Sequence, residues 1–194
     1  MGRIVVFLSM SLDGVIQAPG RPDEDTRGGF GHGGWAASYA DPVMGELAAE
    51  GMAKTGGLLF GRRTYEDFSS FWPNQPERNP FTEHLNAAEK YVASRTLEEP
   101  LPWQNSTLLG GDATEAVPRL KGAVDGDIVI LGSGELVRSL MRADLIDGYT
   151  LLIHPLVLGS GRRLFDEEEQ VRALRLTDSQ TTTTGVIVTA YEPA

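Results

Sequence analysis

The 194-residue chain reads as one α/β domain of three layers, with a mostly parallel central sheet and antiparallel strands at the C-terminal end. Three observations predict this. Strand and helix patterns alternate from Arg3 to about Leu145. Beyond that point strands follow strands. The strongest strand candidates, Ile4 to Leu8, Leu58 to Phe60 and Asp127 to Leu131, are continuous apolar runs, as expected of strands covered on both faces.

The elements follow in order. Arg3 to Ser9 is a central strand, and Ser11-Leu12-Asp13-Gly14 turns it. Residues 18–34 hold six glycines and two prolines around the charged patch Asp23-Glu24-Asp25; they read as a long loop, a kind usually functional or disordered. Trp35 and Tyr39 stand at its end, placed to pin it to the body. Asp41-Pro42 opens a helix, because Asp accepts from free N–H groups and Pro fits the first helical position. Met44, Leu47, Ala48 and Met52 share one face of it, and it ends near Gly56-Gly57. Leu58-Leu59-Phe60 is a short buried strand. Residues 72–82 read as a Pro- and Asn-rich loop, Thr82 to Ala88 as a short helix, Lys90 to Ala93 and Thr107 to Leu109 as strands. Ala113, Ala116, Val117 and Leu120 make a helical face in spite of Pro118. Asp127 to Leu131 is a buried strand, and Leu136, Val137, Leu140 and Met141 mark the next helix. Tyr149 to Leu158 is a long strand turned by Gly159-Ser160-Gly161. Val171 to Thr177 and Val186 to Tyr191 close the sheet around the polar run Asp178 to Gly185. No internal repeat or linker divides the chain.

Composition narrows the function classes. Seventeen basic and 27 acidic side chains leave a net charge of −10, which argues against nucleic-acid binding, since phosphate contacts need clustered Lys and Arg. There is no cysteine, hence no disulfide framework, thiolate metal site or cysteine nucleophile. No apolar run approaches the roughly 18–20 residues that span a bilayer. The N-terminal apolar run is too short for a signal peptide, and no myristoylation pattern follows Gly2. The expected location is the cytoplasm. His32, His84 and His154 show no ligand spacing and Asp166-Glu167-Glu168-Glu169 reads as a solvated acidic turn, so no metal site is expected.

Two strand ends share a design. Phe60 runs into Gly61-Arg62-Arg63-Thr64, and Leu131 into Gly132-Ser133-Gly134-Glu135. Each is a buried strand, a glycine turn and a helix start, the place where α/β sheets hold ligands and where helix N–H groups meet anions. Two guanidinium groups and a hydroxyl at the first suit phosphate oxygens; glycines at the second let a ligand approach the backbone. They look like two grips on one dinucleotide pyrophosphate. Gly132-Ser133-Gly134 is not the full dinucleotide fingerprint, because Val137 stands where the third glycine belongs. There is no Walker motif, and Ser133 lies outside a nucleophile-elbow order.

Several stretches, taken in order, resemble a known superfamily. These are Ser11-Leu12-Asp13-Gly14 after the first strand, Leu59-Phe60-Gly61-Arg62-Arg63-Thr64-Tyr65-Glu66, Val92-Ala93-Ser94-Arg95, Ile130 to Leu136, and Leu145-Ile146-Asp147 through His154-Pro155 to Gly159–Phe165. The chain is similar to the dihydrofolate reductase-like superfamily, in the bacterial branch of the reductase (C-terminal) domain of the riboflavin-biosynthesis deaminase/reductase, RibD. The resemblance implies NADPH as cofactor. Gly61, Arg62, Arg63 and Thr64 match the phosphate-holding turn, and Ser94 and Arg95 the strand end at the adenosine 2′-phosphate. Gly132, Ser133, Gly134, Glu135 and Leu136, on to Val137, match the helix start under the pyrophosphate, and Asp13-Gly14-Val15-Ile16 the turn beside the nicotinamide. Arg where NAD-preferring sites place an acid agrees with NADPH.

The substrate half departs from dihydrofolate reductases proper, which carry a carboxylate on the first helix. Here that helix offers Asp41, Glu46 and Glu50, and spacing does not choose among them. Asp13 and Glu46 are the candidate catalytic carboxyls; Trp35, Tyr65 and Phe68 are the candidate walls of a heterocycle pocket. The function expected is hydride transfer from NADPH to a C=N or C=O bond of a pterin-like or pyrimidine-like small molecule, with loop 18–34 as a lid. The alternative is an NADPH-binding sensor or sequestering module without turnover. Relatives of the riboflavin type tend to dimerise, so a homodimer is expected. With no His/Cys zinc motif in the sequence, any deaminase activity is expected on a separate protein.

Overall fold

Apolar strands of this kind need cover on both faces, and the structure supplies it. A computed structural model describes residues 1–76, 79–165 and 171–194; the acidic run Asp166–Glu169 lies outside them. Eight strands form one sheet: β1 Arg3–Ser11, β2 Thr55–Gly61, β3 Lys90–Ser94, β4 Ser106–Gly110, β5 Asp127–Leu131, β6 Gly148–His154, β7 Leu174–Thr181 and β8 Ile187–Pro193, in the order β4-β3-β2-β5-β1-β6-β8-β7. Every pairing from β4 across to β6 is parallel, and β6–β8 and β8–β7 are antiparallel. The helices are α1 Pro42–Lys54, α2 Arg62–Phe71, α3 Pro80–Ala87, α4 Ala113–Ala123 and α5 Gly134–Arg142.

The period-2 alternation of the strands divides the core. Ile4, Val6 and Leu8, with Leu59, Ile128 and Ile130, pack on Val117 and Leu120 of α4 and on Val137, Leu140 and Met141 of α5. The opposite face, with Leu58, Phe60, Val129 and Leu131, packs on Tyr65 of α2, Leu85 of α3 and Trp103. Hence β2 and β5, neighbours in the sheet, feed helices on opposite faces. This is a topological switch point, where a crevice opens at the carboxyl ends of the strands.

Several boundaries differ from the sequence expectation. β6 stops at His154 rather than Leu158, because Pro155 has no N–H to donate and the chain turns to cover β1, Leu12 N–H donating to the Leu156 carbonyl. β7 takes in the polar residues Asp178 to Thr181; it is an edge strand with nearly all side chains exposed, so polarity there is not penalised. α3 starts at Pro80, capped by the Asn79 side chain, inside a stretch read as loop. α1 is capped by Asp41 as expected, yet none of its residues is buried. Its Met44 and Leu47 lie partly covered against Leu152, Val186 and Val188.

Loop 18–34 is fastened at both ends. Trp35 packs with Val15, Ala18 and Phe30, and its indole N–H donates to the Gln17 carbonyl at 2.8 Å. Arg21 pairs with Asp67 at 2.5 Å and lies 4.0 Å over the Phe71 ring, which ties the loop to α2.

Candidate functional site

The crevice at the switch point is a cleft of about 670 Å³. Its floor is formed by residues 61–64, 93–96, 111–113 and 132–136, and its far wall by 16–18 and 23–27 of the long loop. The strand ends read separately in the sequence thus face one space. Gly61, Arg62, Arg63, Thr64, Ser94, Arg95, Gly132, Ser133, Gly134, Glu135 and Leu136 all line it. Gly14 does not; it sits in a positive-φ turn beside the Arg163 side chain, while Ile16, the last residue of the same Asp13–Ile16 stretch, lines the cleft.

The two glycine turns clasp each other. Gly61 N–H donates to Ser133 Oγ at 2.9 Å, and Ser133 N–H donates to Thr64 Oγ1 at 3.1 Å. Ser133 therefore spends its hydroxyl on the neighbouring turn and not on its own helix, and it adopts a left-handed φ of 58° to do so. The consequence appears in the caps. α1, α3 and α4 begin with a side-chain cap from Asp41, Asn79 and Asp112. α2 and α5 have none, and both start at the cleft. Their first-turn N–H groups have no side-chain acceptor, the arrangement that suits an anion. Glycine at 134 gives Ile16 room: a Cβ there would fall 2.5 Å from Ile16 Cδ1 and push that side-chain end aside. Its absence lets Ile16 close over the helix start.

Arginines ring this floor, each with a carboxylate. Arg62 pairs with Glu66 at 3.0 Å and Arg95 with Asp112 at 2.6 Å. Arg63 and Arg162 meet Glu135 at 3.0 and 3.2 Å, and Arg27 approaches it at 3.8 Å. Ser94 is buried; its hydroxyl accepts from the amides of Thr96 and Leu97, so it shapes the turn that presents Arg95. Arg27 and Arg162 are residues the sequence reading missed. For Arg162 a signal existed, since Gly161-Arg162-Arg163 repeats Gly61-Arg62-Arg63.

The catalytic and substrate candidates are placed differently. Asp13 accepts from Ser11 Oγ at 2.6 Å and from the amides of Leu158 and Gly159 at 3.1 and 2.9 Å, with Arg163 at 3.3 Å. The Ser11 hydroxyl, joined by these backbone N–H groups, holds the carboxyl down at about 2. An ionised Asp13 is a clamp for the 156–163 segment and a poor proton donor. Glu46 is exposed on α1 and does not line the cleft. Trp35 is a loop anchor, not an open stacking surface. Tyr65 is 1% exposed: it packs against Phe60 and Trp103, and its hydroxyl accepts from Trp103 N–H. Phe68 packs on Phe60 and Trp72 in the same core and is absent from the cleft wall. Spacing on a helix cannot separate a core aromatic from a pocket aromatic, and here the core took all three.

Two carboxyls the sequence reading passed over do line the cleft. Burial pushes both Glu24 and Asp67 up from the ordinary carboxylate range. Among the described residues no three His, Cys, Asp or Glu side chains gather as a metal site.

An α/β sheet with an anion-suited cleft at its switch point is the class of protein these features define. Residues 3–188 match the RibD C-terminal domain family, and the chain belongs to that family. It is 28% identical to the uncharacterised protein YyaP of Bacillus subtilis (strain 168), over 97% of this chain and 94% of that one. A crystal structure of a Shewanella sp. PV-4 protein assigned to riboflavin biosynthesis superposes with a TM-score of 0.75 at 25% identity, covering 99% of both chains. Acinetobacter baumannii RibD matches with a TM-score of 0.64 at 15% identity, over all of this chain and 58% of that one. Enterococcus faecalis dihydrofolate reductase, in complex with NADP(H) and RAB-propyl, matches at 0.58 and 14% identity, covering 99% of this chain and 96% of that chain. The fold is of the dihydrofolate reductase-like kind.

Proposed function

We propose that this protein is an NADPH-dependent reductase that transfers hydride to a C=N or C=O bond of a pterin-like or pyrimidine-like small molecule. The observation that carries the reading is the single cleft in which three strand ends converge at the switch point, two of them opening uncapped helices. That floor fits a dinucleotide: glycine-led N–H groups for the pyrophosphate, and Arg95 beside Ser94 for a 2′-phosphate. When bound, the cofactor supplies the hydride. The chain binds and orients it, and loop 18–34 covers the reacting ring and excludes water. Of the carboxyls in the cleft, Glu24 and Asp67 are best suited to hold a proton, because burial favours their neutral forms. We also read the protein as a cytoplasmic homodimer.

The test is NADPH oxidation against a panel of pterins and pyrimidines, with and without trimming of residues 18–34. Trimming should lower turnover more than NADPH affinity; equal loss of both contradicts the lid. Two observations favour a second reading, an NADPH-binding module without turnover: Asp13 is held ionised and Glu46 lies outside the cleft. Tight NADPH binding with no oxidation against the whole panel would select it.

A further inference from the structure

Glu135 stands where the anionic part of a ligand would lie, and arginines already hold it. Its Oε1 is 3.0 Å from Arg63 Nη1, 3.2 Å from Arg162 Nη1 and 3.8 Å from Arg27 Nη1. The three guanidinium groups come from separate parts of the chain: the first turn of α2, the segment after β6, and the loop over the cleft. Arg27 has a second partner in Asp25. One carboxylate oxygen thus collects three cations, more than a singly charged group with two oxygens can satisfy. A phosphate or pyrophosphate has more oxygens, more charge and the geometry that guanidinium forks match. Glu135 also occupies the first turn of α5, whose leading N–H groups have no side-chain cap.

We propose that Glu135 is a resident counter-ion. It gathers Arg27, Arg63 and Arg162 while the cleft is free, and the phosphate of an incoming ligand displaces it. The proposal rests on the reading of the cleft as a phosphate-binding site and adds what regulates its affinity. Glu135 is 60% exposed and each arginine is between 37 and 49% exposed, so the pairs are weak enough to exchange and the released carboxylate turns into water. Two consequences follow. Glu135 competes with anionic ligands and keeps their affinity below what the arginines alone would give. Arg27 couples anion binding to the long loop, because it belongs to that loop and changes partner when the anion arrives.

Glu135→Gln and Arg162→Gln in the full chain test this, titrated calorimetrically with inorganic pyrophosphate, with NADPH and NADP⁺ in parallel. E135Q should bind pyrophosphate roughly fivefold tighter than the wild type, and R162Q should bind it more weakly. Melting curves should show a larger rise with pyrophosphate for E135Q than for the wild type. Equal or weaker pyrophosphate binding by E135Q overturns the proposal, as does no binding by either protein at millimolar concentration. The two readings fail separately. If pyrophosphate binds and neither dinucleotide does, the cofactor reading falls while the E135Q comparison still stands. If NADPH binds tightly and E135Q gains nothing, the counter-ion falls alone.

Discussion

The carboxyl rim of the sheet is built in two ways. At β2 and β5 each grip is a short continuous stretch, a strand end, a glycine turn and a helix start, and the two stretches clasp through Gly61, Thr64 and Ser133. At β1 and β6 the rim depends on partners about 145 residues apart: Asp13 with Leu158 and Gly159, and the Gln17 side chain with the Arg162 amide. The first region leaves its N–H groups and arginines facing a cleft. The second uses its carboxylate up in holding two segments together. The cleft keeps uncapped helix N–H groups open to a ligand, and the turn after β1 has few polar groups to spare.

A pair of buried basic residues repeats the contrast. Lys90, at the start of β3, donates to the carbonyls of Asn86, Ala88 and Gln104 at 3.2, 2.7 and 3.1 Å and lies 4.5 Å over Trp103. Its three donors meet three acceptors. His154, at the end of β6, is fully buried and neither ring nitrogen has a hydrogen-bond partner. The Trp35 and Tyr39 rings meet it edge-on at 5.1 and 5.3 Å.

The sharpest way to break the comparison is Asp13→Ala. Removing the carboxylate strands the amides of Leu158 and Gly159, and the stability measured by urea denaturation should fall by about 3 kcal/mol. Glu46→Ala, on the exposed face of α1, should stay within about 0.5 kcal/mol. Equal effects would mean that Asp13 is no clamp.

Next comes pH. Burial pulls His154 from 6.5 down to about 4. Between those values the unfolded chain binds the extra proton, so stability is full above about pH 6.5 and is lost as the pH falls towards 4. The loss should be about 2–3 kcal/mol, seen as a slope in urea midpoints. His154→Phe should flatten that slope; an unchanged slope would place the effect elsewhere.

In the cleft, Arg62→Ala with Arg63→Ala should weaken NADPH roughly 30-fold while the melting temperature barely moves, because exposed ion pairs contribute little. Unchanged affinity would make these arginines a solvated surface. The smallest effect is that of Ser133→Ala, about 1 kcal/mol by denaturation, for the lost partner of Gly61 N–H.

These differences also decide what was legible in the sequence. The strand runs, the Asp41 cap and the glycine-arginine turns are local patterns, and the parallel sheet and the floor of the cleft followed from them. The run from Tyr149 to Leu158 looks like one strand by composition, but Pro155 has no N–H to donate and β6 ends at His154. Trp35, Tyr65 and Phe68 were drawn to a pocket because helical or loop-end aromatics look alike whether they face core or ligand. Arg162 carries a local signal in Gly161-Arg162-Arg163, but its meeting with Arg27 at Glu135 joins three distant segments, and no local spacing encodes that. Asp13 stood in the right stretch, but its clamp is made by residues at the far end of the chain.

The measurement that tests the account most directly is a fluorescence titration with NADPH and with NADH. The account predicts clear binding of NADPH and much weaker binding of NADH, since Arg95 and the arginine-ringed floor answer the additional phosphate. No binding of either at millimolar concentration would contradict the cofactor cleft itself.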